Sequence, residues 1–166
     1  MDDLSDERIE QLVSELANKL LEKEIYMVTA ESCTGGGIAE ALTREPGSSG
    51  WFDCGFVTYS NQSKSRQLNV PEALFDLAGP GAVSEQVALS MARGALANSR
   101  GELSVAVTGV AGPDGGTEQK PVGTVWIAWQ WSDQHLAKRF DFKGNRNEVR
   151  RAAVVAALDG LLALVG

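Results

Sequence analysis

Helical and strand-like hydrophobic patterns alternate along this chain of 166 residues, and this alternation limits its fold more than any other feature. Apolar residues spaced three to four apart predict helices, and short β-branched or apolar runs between turn residues predict strands. The predicted helices cover 5–22, 35–44, a short segment around Lys64, 71–77, 84–96 and 145–164. The predicted strands cover 25–30, 52–59, 103–108, 122–131 and 136–142.

This order of elements predicts an α/β fold, a three-layer α/β/α domain with a mixed, mostly parallel five-stranded sheet. The last two strands are joined by a short hairpin loop at 132–135, so at least one strand is antiparallel. No linker, repeat or low-complexity tract divides the chain. We therefore expect residues 1–166 to form a single domain.

Charge and composition exclude several classes of protein. A net charge of −7 offers no basic stripe for nucleic acid, although one cluster of arginines would suffice for a small phosphate-bearing ligand. The charged segment 1–8 is unlike a signal peptide, and no apolar run is long enough to span a membrane. Two cysteines are too few for a disulfide framework. We expect a cytoplasmic protein with neither a nucleic-acid nor a membrane partner.

Ser32 lies where the first predicted strand turns into a helix. The three glycines at 35–37 allow a tight turn and a close approach of the backbone to a ligand. The helix after them begins with free N–H groups and a positive dipole end, which suit an anion or a developing oxyanion. Two interpretations of Ser32 remain open here: a nucleophile, or an N-cap of the kind common at helix starts.

Polar side chains follow three of the predicted strands, and the carboxyl ends of parallel strands meet at one edge of a sheet. Ser32, Tyr59 with Lys64, and Thr108 are therefore expected to converge on one crevice. Serine and lysine form a known nucleophile–base pair if desolvation keeps the lysine neutral. A protonated Lys64 would instead stabilise charge or bind phosphate. Tyr59 either assists the nucleophile or is a solvated aromatic at a strand end.

Other reactive groups fit the same crevice less well. Cys33 is an intrinsically better nucleophile than serine, but its usual partner is a histidine. The only histidine, His135, lies in the predicted hairpin loop, so we interpret Cys33 as a packing residue. One histidine and two cysteines argue against a transition-metal site built from those ligands. The glycine-rich segments at 35–37 and 112–116 do not match a nucleotide-binding P-loop.

The only dense basic stretch of this acidic chain covers residues 143–151. Arg146 and Arg150 are four residues apart, so they share one face near the start of the last predicted helix. Arginines there oppose the helix dipole, which a docked phosphate would offset. A solvated face that pairs with surrounding acids explains them equally well.

Three of the four tryptophans belong to the fourth predicted strand. Trp129 and Trp131 lie on one face of that strand, and Trp126 lies on the other. Packing inside the domain is the first interpretation of these residues. An oligomer interface is the second, because one face carries more apolar surface than a monomer readily covers.

Five segments in order across nearly the whole chain resemble the CinA C-terminal domain family in its stand-alone form. They are AESCTGG at 30–36, GFVTYSN at 55–61 followed by Lys64, GAVS at 81–84, TGVAGPDGG at 108–116 and KPVGTV at 120–125. The resemblance implies a nicotinamide-nucleotide amidase, which converts nicotinamide mononucleotide and water to nicotinic acid mononucleotide and ammonia. It implies a serine–lysine pair at Ser32 and Lys64, an acyl-enzyme, and a contribution from Tyr59.

The resemblance also implies a substrate pocket, with Arg146 at the substrate phosphate and Thr108 beside the reacting groups. The expected substrate-binding residues are Thr34, Gly35, Gly36, Thr108, Gly109, Ala111, Gly112 and Arg146. The expected partner is a small pyridine nucleotide, with no metal or organic cofactor, in a homo-oligomer for which a dimer is favoured. Two alternatives stay open: a non-catalytic nucleotide sensor that uses the same crevice, and a hydrolase for a different amide.

Overall fold

A computed structural model describes residues 3–166 of the chain; Met1 and Asp2, the start of the charged amino terminus, lie outside that range. The helices are α1 Asp6–Lys23, α2 Gly37–Thr43, α3 Asn61–Leu68, α4 Glu85–Ala97 and α5 Arg146–Val165. The strands are β1 Met27–Glu31, β2 Phe52–Val57, β3 Leu103–Gly109, β4 Thr124–Trp131 and β5 Gln134–Asp141.

The five strands form one sheet in the order β2-β1-β3-β4-β5. β1 pairs in parallel with both β2 and β3, whereas β4 is antiparallel to both β3 and β5. Four of these strands therefore point one way and β4 points the other. The predicted α/β fold with a mixed five-stranded sheet is confirmed, although only two of its four strand pairings are parallel.

Helices cover both faces of the sheet. Side chains of α1, α2 and α5 form one buried cluster with one face, and side chains of α4 and the end of α3 form a second cluster with the other. Trp129 and Trp131 belong to the first cluster and Trp126 to the second, as the strand alternation predicts. The indole of Trp129 is buried and donates to the Ala157 carbonyl at 3.0 Å. Packing therefore accounts for this tryptophan.

Several predicted boundaries are wrong by a few residues because of local backbone conformation. α2 begins at Gly37, since Gly35 (φ +61°) and Gly36 (φ +97°) occupy the left-handed region. The hairpin loop between β4 and β5 contains two residues, because Ser132 (φ +55°) makes a tight turn. His135 therefore lies within β5, opposite Gln130 and exposed, instead of in the loop. The segment predicted at 71–77 forms only a 3-10 helix, Glu72–Phe75.

The parallel register brings three strand ends to the same level. Glu31, the last residue of β1, pairs with Val57 at the end of β2 and with Val107 near the end of β3. Residues that follow these positions in the chain are consequently neighbours at one edge of the sheet. Among residues 3–166, no helix is both long enough and apolar enough to cross a membrane.

Candidate active site

Backbone hydrogen bonds join the three strand ends around Ser32. The Ser32 N–H donates to the Val107 carbonyl at 2.9 Å, and the Thr58 N–H donates to the Glu31 carbonyl at 2.8 Å. Ser32 itself is 7% exposed, so its hydroxyl lies just below the protein surface. The predicted convergence of Ser32 with the segment that follows β2 is present in the structure.

Lys64 lies in the first turn of α3, directly beside this serine. Ser60 caps the helix by accepting from the Ser63 N–H at 3.0 Å. The Lys64 side chain is buried, and its Nζ atom lies 2.8 Å from Ser32 Oγ. The same atom lies 2.9 Å from the Thr58 carbonyl oxygen and 3.1 Å from the Tyr59 carbonyl oxygen. Ser32 and Lys64 therefore form a hydrogen-bonded pair.

The surroundings of Lys64 suit a neutral amine as well as an ammonium group. Three neutral oxygens match the three N–H donors of an ammonium. A neutral amine would donate to the two carbonyls and accept the Ser32 hydroxyl proton with its lone pair. Burial lowers the pKa of Lys64 from 10.5 to about 8. Lys64 can thus supply a base near neutral pH, which is the condition that the serine–lysine hypothesis requires.

Tyr59 contacts this site through its backbone and extends away from it through its side chain. Its carbonyl oxygen accepts from Lys64, whereas the residue as a whole is 62% exposed and its hydroxyl accepts from Arg146 Nη2 at 3.1 Å. The hydroxyl therefore contacts Arg146, not Lys64 or Ser32. Arg146 Nη1 also donates to the Gly112 carbonyl at 2.7 Å, so this guanidinium bridges two loops of the crevice.

Glu31 is a functional-site residue that the sequence analysis missed. Its fully buried carboxylate accepts from the Thr34 hydroxyl at 2.6 Å and from the N–H groups of Ile38 at 2.8 Å and Ala39 at 3.0 Å. The expectation that the first N–H groups of α2 are free for an anion is therefore wrong at Ile38 and Ala39. A glutamate at the end of a buried strand, next to a glycine-rich turn, was the available signal.

The backbone amides of the turn between β1 and α2 divide into bonded and free groups. The N–H groups of Gly35 and Gly37 donate to the Ser32 and Thr34 carbonyls, each at 3.0 Å. Within residues 3–166, those of Cys33, Thr34 and Gly36 donate to no other residue. Arg150 donates to the carbonyls of Cys33 at 3.1 Å and Thr34 at 3.2 Å. Free amides thus remain beside Ser32.

The segment that includes the end of β3 and the glycine-rich loop after it lies near the site, but several of its residues are engaged in the packing and hydrogen bonds of the fold. Thr108 is buried and donates its hydroxyl to the Ala82 carbonyl at 2.9 Å. Gly109 packs against β4, where an added Cβ would lie 2.7 Å from Val125 Cγ2. Ala111 belongs to the core cluster beneath α5. Only backbone atoms of Gly109 and Ala111 are thus available for the predicted contact with substrate, and Gly112 uses its carbonyl for Arg146.

The surroundings of Cys33, the other candidate nucleophile, agree with its interpretation as a packing residue. Cys33 is buried, and burial raises the pKa of its thiol to about 12. The thiol is therefore protonated at neutral pH, and His135 lies on the edge strand. In the part of the chain that the structure describes, no three His, Cys, Asp or Glu side chains form a cluster suited to a metal ion.

Comparison with known proteins places these residues in a family. The CinA C-terminal domain matches residues 9–165 of the chain. The chain belongs to the CinA C-terminal domain family. It is 56% identical to the nicotinamide-nucleotide amidohydrolase PncC of Pseudomonas putida, over 94% of this chain and 96% of that protein. It is 45% identical to the protein of the same name from Escherichia coli K12, over 95% of each.

A solved structure shows the same architecture as this CinA-family chain. The competence/damage inducible protein CihA of Agrobacterium tumefaciens superposes with a TM-score of 0.91. The two chains are 44% identical, and the match covers 95% of each. The α/β fold that the resemblance implied is thus confirmed, and the family match over residues 9–165 includes Ser32 and Lys64.

Proposed function

We propose that this CinA-family chain is a nicotinamide-nucleotide amidase that hydrolyses the carboxamide of nicotinamide mononucleotide to nicotinic acid mononucleotide and ammonia. The observation that carries the proposal is the 2.8 Å contact between Lys64 Nζ and Ser32 Oγ in a buried site. It occurs in a chain 56% identical to a protein named as an amidohydrolase of this nucleotide class. Ser32 and Lys64 are the catalytic pair in this proposal.

The proposed reaction begins with neutral Lys64. Lys64 takes the Ser32 hydroxyl proton as Oγ bonds to the carboxamide carbon, and the carbonyl electrons move to oxygen. The tetrahedral intermediate collapses, Lys64 returns the proton to the amide nitrogen, and ammonia leaves. Water then attacks the resulting ester with Lys64 again as base, which releases the carboxylate and restores Ser32. The steps need neither a metal nor an organic cofactor.

The free amides of the turn between β1 and α2 are the proposed oxyanion donors. Thr34 and Gly36 contribute N–H groups that donate to no other described residue, and Gly35 shapes the turn between them. Such donors, fixed before the reaction, stabilise charge as it develops on the substrate oxygen. The backbone of the loop from Thr108 to Gly112 is the proposed contact for the ribose.

Arg146 is the proposed partner of the substrate phosphate. In the structure its guanidinium donates to two neutral oxygens, those of Tyr59 and Gly112. A phosphate is a stronger acceptor than either and suits a planar guanidinium. Phosphate binding would release the Tyr59 hydroxyl, which then becomes available to the reacting groups as the sequence hypothesis requires.

The proposal extends to the assembly and setting of the protein. We place one amidase domain over residues 1–166, because a single sheet carries both core clusters. Both thiols, Cys33 and Cys54, are free, which matches the reducing cytoplasm.

We further propose a homodimer formed through β5. This strand is at the edge of the sheet, and Leu136 on it is 56% exposed. Beside it, a groove of about 640 Å³ lies between β5 and α5, away from Ser32. Its lining is mostly apolar with charges of both signs: Leu4, Trp129, Leu136, Phe140, with Lys138 and Asp159. A surface that carries both signs can be complementary to a copy of itself.

Ammonia release tests the substrate assignment. We expect turnover of nicotinamide mononucleotide by the parent protein, and much slower turnover of nicotinamide riboside, which lacks the phosphate. Arg146→Gln should raise KM for the mononucleotide about tenfold or more while leaving the riboside rate unchanged. A folded parent that binds the nucleotide without releasing ammonia would favour the sensor alternative. Equal rates with both substrates would refute the phosphate role of Arg146.

A further inference from the structure

Arg150 donates to backbone carbonyls of the turn that follows Ser32 and, in the described part of the chain, not to a carboxylate. The arginines at positions 8, 44, 100, 139 and 151 each form an ion pair with a carboxylate. Arg150 pairs with no carboxylate among residues 3–166 and instead donates to the carbonyls of Cys33 and Thr34. Its half-buried guanidinium thus serves the turn that follows the nucleophile.

Because the peptide bond is planar, the contact of Arg150 with the Cys33 carbonyl also fixes the direction of the Thr34 N–H. In a trans peptide the C=O and the N–H point in opposite directions. Arg150 Nε holds the Cys33 carbonyl at 3.1 Å, so the N–H of Thr34, in the same peptide unit, points away from the guanidinium. That N–H is one of the free amides beside Ser32.

The rest of Thr34 is fixed as well. Its hydroxyl donates to the buried Glu31 carboxylate at 2.6 Å. Its carbonyl accepts both from the Gly37 N–H at 3.0 Å and from Arg150 Nη2 at 3.2 Å. Arg150 also places a positive charge at the Cys33 carbonyl. This charge polarises the Cys33–Thr34 peptide, which makes the Thr34 N–H a stronger donor.

We propose that Arg150 is a positioning residue of the oxyanion hole, which orients and polarises the Thr34 N–H for the substrate carbonyl oxygen. This inference rests on the proposed amidase function. It separates two arginines that share a helix face: Arg146 binds the substrate phosphate, whereas Arg150 acts on the reacting carbonyl through the backbone. The Gly35 conformation supports this arrangement, since a Cβ there would lie 3.0 Å from Arg150 Nη2.

Arg150→Gln tests the proposal through the difference between ground state and transition state. Losing one oxyanion donor costs about 100- to 1,000-fold in kcat, and loosening a donor should cost less, about 10- to 100-fold, with little change in KM. The 3-formylpyridine analogue of the mononucleotide provides the second readout. Ser32 Oγ adds to its aldehyde carbon, the hydroxyl proton passes to Lys64, and the carbonyl oxygen becomes an oxyanion in the proposed hole.

We expect Arg150→Gln to weaken this aldehyde adduct by the same factor as kcat, while affinity for the pyridine mononucleotide without a carboxamide, which keeps the phosphate and offers no carbonyl oxygen, stays unchanged. Arg151→Gln is the matched control, because Arg151 contacts Leu4 and Asp6 instead of the turn, and it should keep the parental kcat. If Arg150→Gln does not fold, Arg150→Lys carries the same test with an intermediate loss.

Two results would overturn the proposal: an unchanged kcat in folded Arg150→Gln, or an equal loss of kcat and of affinity for the pyridine mononucleotide without a carboxamide. The second result would indicate a phosphate-binding role. A parent enzyme that releases no ammonia would instead refute the amidase function itself, so the two failures are distinguishable.

Discussion

Replacing Lys64 by methionine should change how the stability of the protein depends on pH. Methionine has a similar length and no charge, and Lys64 is 1% exposed. The pKa of Lys64 is about 8 in the folded protein and 10.5 in its unperturbed state. An unfolded chain therefore binds more protons at this residue between these values, so parental stability rises as pH increases from 8 to 10.5.

The size of the effect follows from this gap. A gap of roughly two and a half pKa units corresponds to about 3 kcal/mol of destabilisation at neutral pH, where the buried amine is charged. Between pH 7 and pH 10, the parent should recover about 2 kcal/mol of its free energy of unfolding relative to Lys64→Met. The carbonyls of Thr58 and Tyr59 lose their donor in the variant, but that cost is the same at every pH and cancels from the comparison.

Urea denaturation of the parent and of Lys64→Met at several pH values between 7 and 10 measures this difference. The other titratable groups are common to both proteins, so their contributions cancel. We expect the free energy of unfolding of the parent, minus that of Lys64→Met, to increase steadily as the pH rises from 7 to 10. Parallel curves would show that Lys64 titrates near its ordinary pKa. Lys64 would then be protonated near neutral pH and could not act as the proposed base.

Three further predictions concern the rate, the helix that carries Lys64, and the assembly. The kcat/KM for nicotinamide mononucleotide should rise about tenfold per pH unit below pH 8 and level off above it, because neutral Lys64 is the base; a flat profile from pH 6 to 9 would contradict this. Gly94→Ala should lower the free energy of unfolding by about 1–3 kcal/mol and reduce kcat, since its Cβ would lie only 1.8 Å from the Leu68 carbonyl oxygen of α3. The exposed neighbour Arg93→Ala should change thermal stability little, and equal stabilities of the two variants would refute the close approach of α3 and α4. Leu136→Asp should convert the proposed dimer to a monomer in light scattering, and a parent already monomeric would refute the β5 interface.

Periodicity was sufficient to predict the order of elements and the convergence of Ser32 with Lys64. Both depend on where strands end, and strand ends follow from turn residues and from the rule that parallel strands present their carboxyl ends together. The rule applies here because β1 pairs in parallel with both β2 and β3.

The errors have local causes that the hydrophobic pattern does not contain. The start of α2 depends on positive φ angles at Gly35 and Gly36, which composition permits but does not require. The first N–H groups of α2 were expected to be free for a ligand, but a carboxylate of the protein itself accepts from them. Glu31 occupies them, and its neighbours along the strand gave no sign of which face it would take.

Side-chain direction was the other limit of sequence reasoning. The carbonyl of Tyr59 accepts from Lys64, but its hydroxyl contacts Arg146 and neither Ser32 nor Lys64. That division depends on how α5 crosses the strand ends, which involves residues 87 positions apart in the chain. Arg150 was grouped with Arg146 because they share a helix face, although the two guanidinium groups reach different loops.

Trapping the acyl-enzyme tests the central claim, that Ser32 is a nucleophile activated by Lys64. The parent and Ser32→Ala should be supplied with nicotinamide mononucleotide and hydroxylamine, and both ammonia and the hydroxamate of the nucleotide should be measured. We predict that the parent forms the hydroxamate along with ammonia, because hydroxylamine intercepts the ester on Ser32, and that Ser32→Ala forms neither. Ammonia release retained by a folded Ser32→Ala protein would contradict the account.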